Sequence, residues 1–166
     1  MAVKKSNFSI VDLANNYGCF DLQFRKDTRH ERTNSPTYYR WKIQFVITAP
    51  KESVKVLEKV AKEIGCGSVS VIKEQARFSV QKIDDIVDTI VLYFTKHPLI
   101  GSKKKDFLVW QKAVTIIWKN KGIYLSKWKK NDLIHLMEIH KVMAKYKNTT
   151  KKPKWIEMAQ ILTKKV

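Results

Sequence analysis

The sequence predicts an α+β fold: a four-stranded antiparallel sheet, helices on one of its faces, and a helical tail. Three observations carry that prediction. Apolar residues alternate with a period of two in four stretches and recur at three and four residues between them, giving the order α-β-β-α-β-β-α. Glycine and proline mark the joints, at Gly18, Pro36, Pro50, Gly65, Pro98 and Gly122. The apolar share, 44% of 166 residues, is enough for a packed core and excludes wholesale disorder.

The first helix is expected from Asn7 to Asn16, entered through the polar pair Ser6-Asn7 and stopped at Gly18. Phe20, Leu22 and Phe24 then alternate with Asp21, Gln23 and Arg25, the pattern of a half-buried strand. Residues 26–36 (KDTRHERTNSP) are polar and turn-rich, a loop. Trp41, Ile43, Phe45 and Ile47 alternate with Arg40, Lys42, Gln44 and Val46 in a second strand. Pro50 opens an amphipathic helix, Lys51 to Ile64, with Val54, Leu57, Val60, Ala61 and Ile64 on one stripe, and Gly65-Cys66-Gly67 ends it. Two short strands, Ser68 to Ile72 and Ala76 to Gln81, turn at Lys73-Glu74-Gln75. Lys82 to Phe94 is a helix with Ile83, Ile86, Val87, Ile90, Val91 and Phe94 inward. His97-Pro98 breaks the chain, Gly101 to Lys105 form a basic loop, and Asp106 caps a helix to about Lys119. Beyond Gly122 the chain reads as helical and lysine-rich, from Ser126 to Tyr146 and, after a Thr-Thr-Lys-Lys-Pro link, from Lys154 to Lys164. Residues 1–122 thus form the α+β body and 123–166 a basic helical extension.

The charge points to function. Lys and Arg number 33 against 15 Asp and Glu, a formal +18. Such a field attracts a polyanion and holds it by releasing condensed counterions, the main sequence-independent term in nucleic-acid binding. Only five of the basic residues are arginine: Arg25, Arg29, Arg32, Arg40 and Arg77. That lysine bias, with many Ile and Asn, suggests an AT-rich coding sequence of the kind organelle genomes carry, and favours a mitochondrial location. No apolar run approaches the roughly 20 residues needed to span a bilayer. No apolar segment of a secretory signal follows Met1, and no Arg-rich transit peptide is present. Cys19 and Cys66 lack metal-ligand spacing and are expected as reduced thiols.

On the four strands, the residues opposite the core are Asp21, Gln23, Arg25, Arg40, Lys42, Gln44, Ser68, Ser70, Arg77, Ser79 and Gln81. Arg and Gln can contact base edges in pairs of hydrogen bonds, and Ser and Lys reach phosphates. Any antiparallel sheet turns a polar face to water; the single acid among these positions is what makes this face a binding surface. Arg29 and Arg32 in the loop, and Lys103, Lys104 and Lys105, extend it.

Three stretches in register resemble one family. Ile10-Val-Asp-Leu-Ala-Asn-Asn-Tyr-Gly-Cys-Phe20 is similar to the signature helix of the LAGLIDADG homing endonucleases, which reads roughly Leu-Ala-Gly-Phe/Leu-Ile/Val-Asp-Ala-Asp/Glu-Gly-Cys-Phe. Residues Val56 to Gly67 resemble that family's helix-to-strand corner. Pro98 to Phe107, followed by Trp110-Gln-Lys-Ala-Val114, resembles its Pro-Leu-x-Thr/Ser-Lys-Lys-x-x-Asp-Phe-x-x-Trp segment. The resemblance covers about Asn7 to Lys119. It implies a saddle-shaped sheet, two copies of the signature helix packed side by side, and an acid before the glycine that brings divalent metal to the scissile phosphate. A carboxylate is the hard oxygen ligand that Mg²⁺ prefers.

This chain departs from the pattern where that chemistry sits. Tyr17 stands where the family has the acid, and a phenol is a poor ligand for Mg²⁺. The motif's earlier Asp aligns with Asn15, its small helix-contact residue with Asp12, and a polar residue near the catalytic water with Ala49. Asp12 lies six residues before Gly18, more than one turn away at about 1.5 Å per residue. Lys103 or Lys104 matches the basic residue of the family's back loop. Scaffold and bases survive while the acid does not. The expectation is a protein that binds nucleic acid, RNA in preference to DNA, without cofactor and without cutting. It would serve as an intron maturase or in an organellar ribonucleoprotein such as the mitochondrial ribosome. The signature helix, Phe8 to Tyr17, should need a protein mate, either another LAGLIDADG-like chain or a ribonucleoprotein subunit. The competing expectation is an active dimeric, site-specific DNA endonuclease cutting with Mg²⁺; a transcription regulator using the same sheet is a third.

Other constellations are weaker. His135 and His140, five apart, do not share a helix face, so with Glu138 they read as surface residues rather than a metal cluster. Trp118, Trp128 and Trp155 lie among lysines and suit either stacking on unpaired bases or packing of the tail, with packing favoured at this spacing.

Overall fold

The alternating stretches form strands and the intervening ones helices, in the expected order. A computed structural model describes residues 9–28 and 37–146, the side chains at 26–28, 37–38 and 144–146 excepted. Helix α1 (Ile10–Tyr17) leads into strand β1 (Gly18–Thr28). Strand β2 (Thr37–Pro50) follows, then a 3₁₀ turn (Lys51–Ser53) and helix α2 (Val54–Ile64). Strands β3 (Ser68–Ile72) and β4 (Gln75–Val80) make a hairpin, and Lys73 takes the left-handed conformation in its turn (φ 56°). The next helical stretch has three parts: α3 (Ile83–Asp85), a π-helical segment (Ile86–Val91) and α4 (Leu92–Lys96). Helix α5 (Gly101–Lys119), a 3₁₀ turn (Leu125–Lys127) and helix α6 (Lys130–Tyr146) complete it.

The sheet has four strands in the order β1-β2-β4-β3. β4 is antiparallel to both neighbours, with Ile47 opposite Phe78 on β2 and Val69 opposite Phe78 on β3. The described residues fall into two compact units, drawn from Met1–Asp21 with Gln44–Leu108 and from Leu22–Ile43 with Val109–Val166.

In the first unit, Phe20, Phe45, Phe94 and Phe107 form the centre of the core. Their ring centroids lie 5.0 Å (Phe20–Phe45), 5.2 Å (Phe45–Phe94) and 5.3 Å (Phe20–Phe107) apart, within the range of favourable aromatic pairs. Leu57, Val60 and Ile64 of α2 are buried, at the spacing of three and four that puts them on one stripe. Ile86, Ile90 and Phe94 are buried at intervals of four, while Ile83, Val87 and Val91, beside them on the same side, are half-buried.

In the second unit, Phe24 stacks on Tyr39 at 5.6 Å and meets Trp41 at 4.9 Å. Trp110, Ala113 and Val114 of α5 and Leu133, Leu136 and Met137 of α6 are buried. The His140 ring lies 6.1 Å from Trp41, so this histidine belongs to an aromatic cluster rather than to the surface, whereas His135 is exposed as expected.

Three expected boundaries move. Ser9 caps α1, its hydroxyl accepting from the Asp12 N–H, in place of the Ser6-Asn7 pair, which lies outside the described residues. Gly101 to Lys105 are the first turn of α5 rather than a loop, which leaves Asp106 inside the helix and not at its cap. The helix expected from Ser126 is a 3₁₀ turn first, and α6 begins at Lys130. The expected helix from Lys154 to Lys164, with Trp155, lies outside the described residues. Cys19 and Cys66 are free thiols; burial, then the nearby Asp85 carboxylate, push the Cys66 thiol above its ordinary pKa.

Candidate nucleic-acid interface

The end of α1 is assembled from three elements of the first unit. Eight residues make a helix too short to stand alone, so its position comes from tertiary contacts. Ile10 and Ala14 bury its inner side. Gly18 follows directly, and a Cβ there would come within 2.5 Å of the Ala14 carbonyl oxygen, so only glycine lets the chain turn this closely from helix to strand. The Ile100 N–H donates to the Asn15 Oδ1 at 3.2 Å, and the Lys103 ammonium donates to the Gly18 carbonyl. A cation there also suits the partial negative charge at a helix C-terminus. Lys103 is half-buried by this contact, while Lys104 and Lys105 are exposed on the same turn.

Around that end the donors do not suit a divalent ion. Tyr17 is 53% exposed and offers a phenol. The amide oxygen of Asn15 and the carbonyl of Gly18 are taken, the latter by an ammonium that would repel a metal. Asp12 lies exposed in the first turn, at the other end of the helix. Ala49, opposite Ala76 in the register, is buried and apolar. Among the described residues no three His, Cys, Asp or Glu side chains come together as a metal site.

The open face of the sheet in the first unit is organised by Gln44. Expected on the polar face, it does lie there, yet it is only 4% exposed. Its Nε2 donates to the Asp21 Oδ2 at 2.8 Å, and its Oε1 accepts from the Arg77 Nη2 at 3.3 Å. One amide thereby fixes the only acid and the only arginine of that face, which costs Gln44 its freedom to read bases. Val46, next along the strand on the same face, is buried as well. Ser68 pairs with Ser79 and Ser70 with Arg77 across β3 and β4; Ser68, Ser70 and Gln81 are exposed, and Arg77 and Ser79 half-buried.

In the second unit, Gln23 and Lys42 are half-buried while Arg25 and Arg40 are exposed, alternating with buried Leu22, Phe24, Trp41 and Ile43 as expected. Arg29 and Arg32 lie outside the described residues. The corner between α5 and α6 carries a polar network that the periodicity does not reveal. Buried Asp132 accepts from the Lys119 Nζ at 2.9 Å and the Asn120 Nδ2 at 3.1 Å. The Lys119 hydrogen bond, foremost, holds the Asp132 carboxyl below its ordinary pKa, with help from Asn120. An acid in the first turn of α6 beside an asparagine at the end of α5 is the signal that marks it.

Comparison with known proteins places the chain in one family. The profile of the LAGLIDADG endonucleases matches residues 14–114. Two Neurospora crassa proteins are similar in sequence. "Probable intron-encoded endonuclease 3" is 32% identical over 93 residues, which cover 55% of this chain and 17% of that protein. "Probable intron-encoded endonuclease 2" is 29% identical over 96 residues, 57% of this chain and 21% of that one. The chain thus spans about a fifth of the length of the curated relatives it matches. Among solved structures, the homing endonuclease I-TnaI superposes with a TM-score of 0.66 at 22% identity, over 94% of both chains. I-SmaMI bound to an uncleaved DNA target with calcium gives 0.71 at 16% identity, over 90% of this chain and 47% of that one.

Proposed function

We propose that this chain, which belongs to the LAGLIDADG endonuclease family, keeps the family's nucleic-acid-binding role but binds structured RNA and does not itself cut. The observation that carries the reading is the end of α1. A phenol replaces the acid, and an ammonium from Lys103 occupies the carbonyl beside it, so the motif brings no carboxylate to a metal. RNA is favoured by the kind of basic residue present. Lysine is a point charge suited to phosphates, whereas paired base-edge contacts in the DNA major groove are made chiefly by arginine. Arg77 of the first unit is already engaged by Gln44. RNA helices are recognised largely by shape and backbone, which a lysine-rich surface can do.

Each unit offers its own candidate contacts: Arg25, Arg40 and Lys42 in the second, and the exposed serines of β3 with Lys104 and Lys105 in the first. The exposed side of α1, with Asp12, Asn16 and Tyr17, is left for a mate: a second LAGLIDADG-like chain or a ribonucleoprotein subunit. The kinship with intron-encoded proteins supports a role in intron splicing or in a mitochondrial ribonucleoprotein. Ultraviolet crosslinking in native extract should attach this chain to intron or ribosomal RNA.

A second reading, a DNA endonuclease with divalent metal, is supported by the names of the relatives and by the likeness to a DNA-bound fold. In that case the acid comes from the mate. The two readings part on purified protein incubated with Mg²⁺ and DNA carrying the uninterrupted intron insertion site. Binding without strand breakage supports the first. Robust site-specific cutting by the unaltered chain, unchanged by Tyr17→Asp, overturns it.

A further inference from the structure

We propose that the corner from Trp118 to Trp128 is a binding site for unpaired nucleotides, with Trp118 and Tyr124 as stacking platforms and the neighbouring lysines as phosphate contacts. The proposal rests on the nucleic-acid-binding reading above and adds residues outside the strands.

Exposure is the first support. Trp118 is 51% and Tyr124 77% exposed, and Ile123 between them is also exposed. Three large apolar side chains exposed within seven residues of one corner are more than a water-facing bend needs. Trp128, by contrast, is buried, and its indole N–H donates to the Ile123 carbonyl at 2.9 Å. The structure thus separates tryptophans that the sequence alone cannot tell apart.

Rigidity is the second. The Lys121 N–H donates to Trp118 O, Ile123 N–H to Asn120 O, Lys127 N–H to Tyr124 O and Trp128 N–H to Leu125 O, at 2.8–3.1 Å. Gly122 takes a left-handed φ of 78° at the bend. Asp132 fastens the start of α6 to Lys119 and Asn120. A backbone fixed this closely gives up little further entropy on binding, so exposed rings mounted on it are prepared to stack.

Charge is the third, and it names the partner. From Phe107 to Met137 the sequence holds six lysines and one acid, and that acid is the buried, engaged Asp132. An anionic chain approaching the corner meets no exposed carboxylate in that stretch. Flat rings beside lysines match a strand whose base faces are open; in a duplex those faces are covered by neighbouring pairs.

The test uses the full chain and two labelled RNAs read by fluorescence anisotropy, a short oligouridylate and a fully paired duplex of equal length. Trp118→Leu and Tyr124→Leu should each weaken the single strand roughly 5- to 150-fold, the range of one base stack, and leave duplex binding unchanged. Trp118→Phe and Tyr124→Phe keep an aromatic face and should hold most of the single-strand affinity. Both sites are exposed, and thermal melting of each variant verifies folding. Unaltered single-strand affinity in the Leu variants, with binding of both RNAs retained, overturns the corner alone. Failure of the unaltered chain to bind either RNA overturns the RNA-binding reading and this site with it.

Discussion

The two units carry nearly the same number of charged residues, 23 and 25, in very different proportions of base to acid. The first, residues 1–21 and 44–108, has thirteen Lys and Arg against ten Asp and Glu, a net +3. The second, residues 22–43 and 109–166, has twenty against five, a net +15. Yet the first unit holds the signature helix and most of the stretch that matches the family. Most of the positive excess therefore lies outside the stretch by which the chain is recognised as a nuclease relative. Attraction and inherited chemistry are carried by different parts of one chain, and each can be altered without the other.

The largest effect expected from breaking that contrast is electrostatic. Changing Lys127, Lys129 and Lys130 together to Gln should lower RNA affinity roughly 10- to 100-fold at low salt and flatten the log–log salt dependence by about 0.7–0.9 per lost phosphate contact. The matched triple change of Lys55, Lys59 and Lys62 on α2 should do far less; equal losses from the two triples would abolish the contrast. Next comes Gly18→Ala. The added Cβ has only the backbone of Ala14 to push against, and a loss of about 1–3 kcal/mol is expected from urea unfolding. Because this change strikes the first unit, RNA binding under conditions where the chain stays folded should survive it.

Gln44→Leu should cost about 1–2 kcal/mol, by removing both the bond to Asp21 and the bond from Arg77. Freed of Gln44, Arg77 is available to phosphate, so RNA affinity should rise slightly or hold rather than fall. The smallest effect belongs to the corner network. The Asp132 carboxyl titrates below its unfolded value of 3.8. It therefore contributes stability above that pH, and the contribution disappears as the pH falls through the lower folded value. Asp132→Asn should lose about 1 kcal/mol at pH 7, since Lys119 is more than half exposed, and the difference from the unaltered chain should vanish in strong acid.

The strands were readable because a half-buried sheet imposes a period of two that few other structures imitate. Phe20, Leu22, Phe24, Trp41, Ile43 and Phe45 all bury as that period requires. The start of α5 was not readable. Gly101, Ser102 and three lysines resemble a loop, but all are tolerated in a first helical turn, and Lys103 gains a partner there in Gly18 that lies far away in sequence. Burial of Gln44 was hidden for a similar reason. Alternation assigns a residue to a face, not to the open or the crowded part of it. The tryptophans show the same limit: Trp118 and Trp128 both stand next to lysine in the sequence, yet one is half exposed and the other buried.

The two bonds that seat the end of α1 span 85 residues each, from Asn15 to Ile100 and from Gly18 to Lys103. On a ribosome adding about 5–20 residues per second, the partners of this helix emerge roughly 4–17 s after it does. Throughout that interval the two bonds that seat the end of this eight-residue helix have no partner. Those seconds are when a mate for the helix has its freest access.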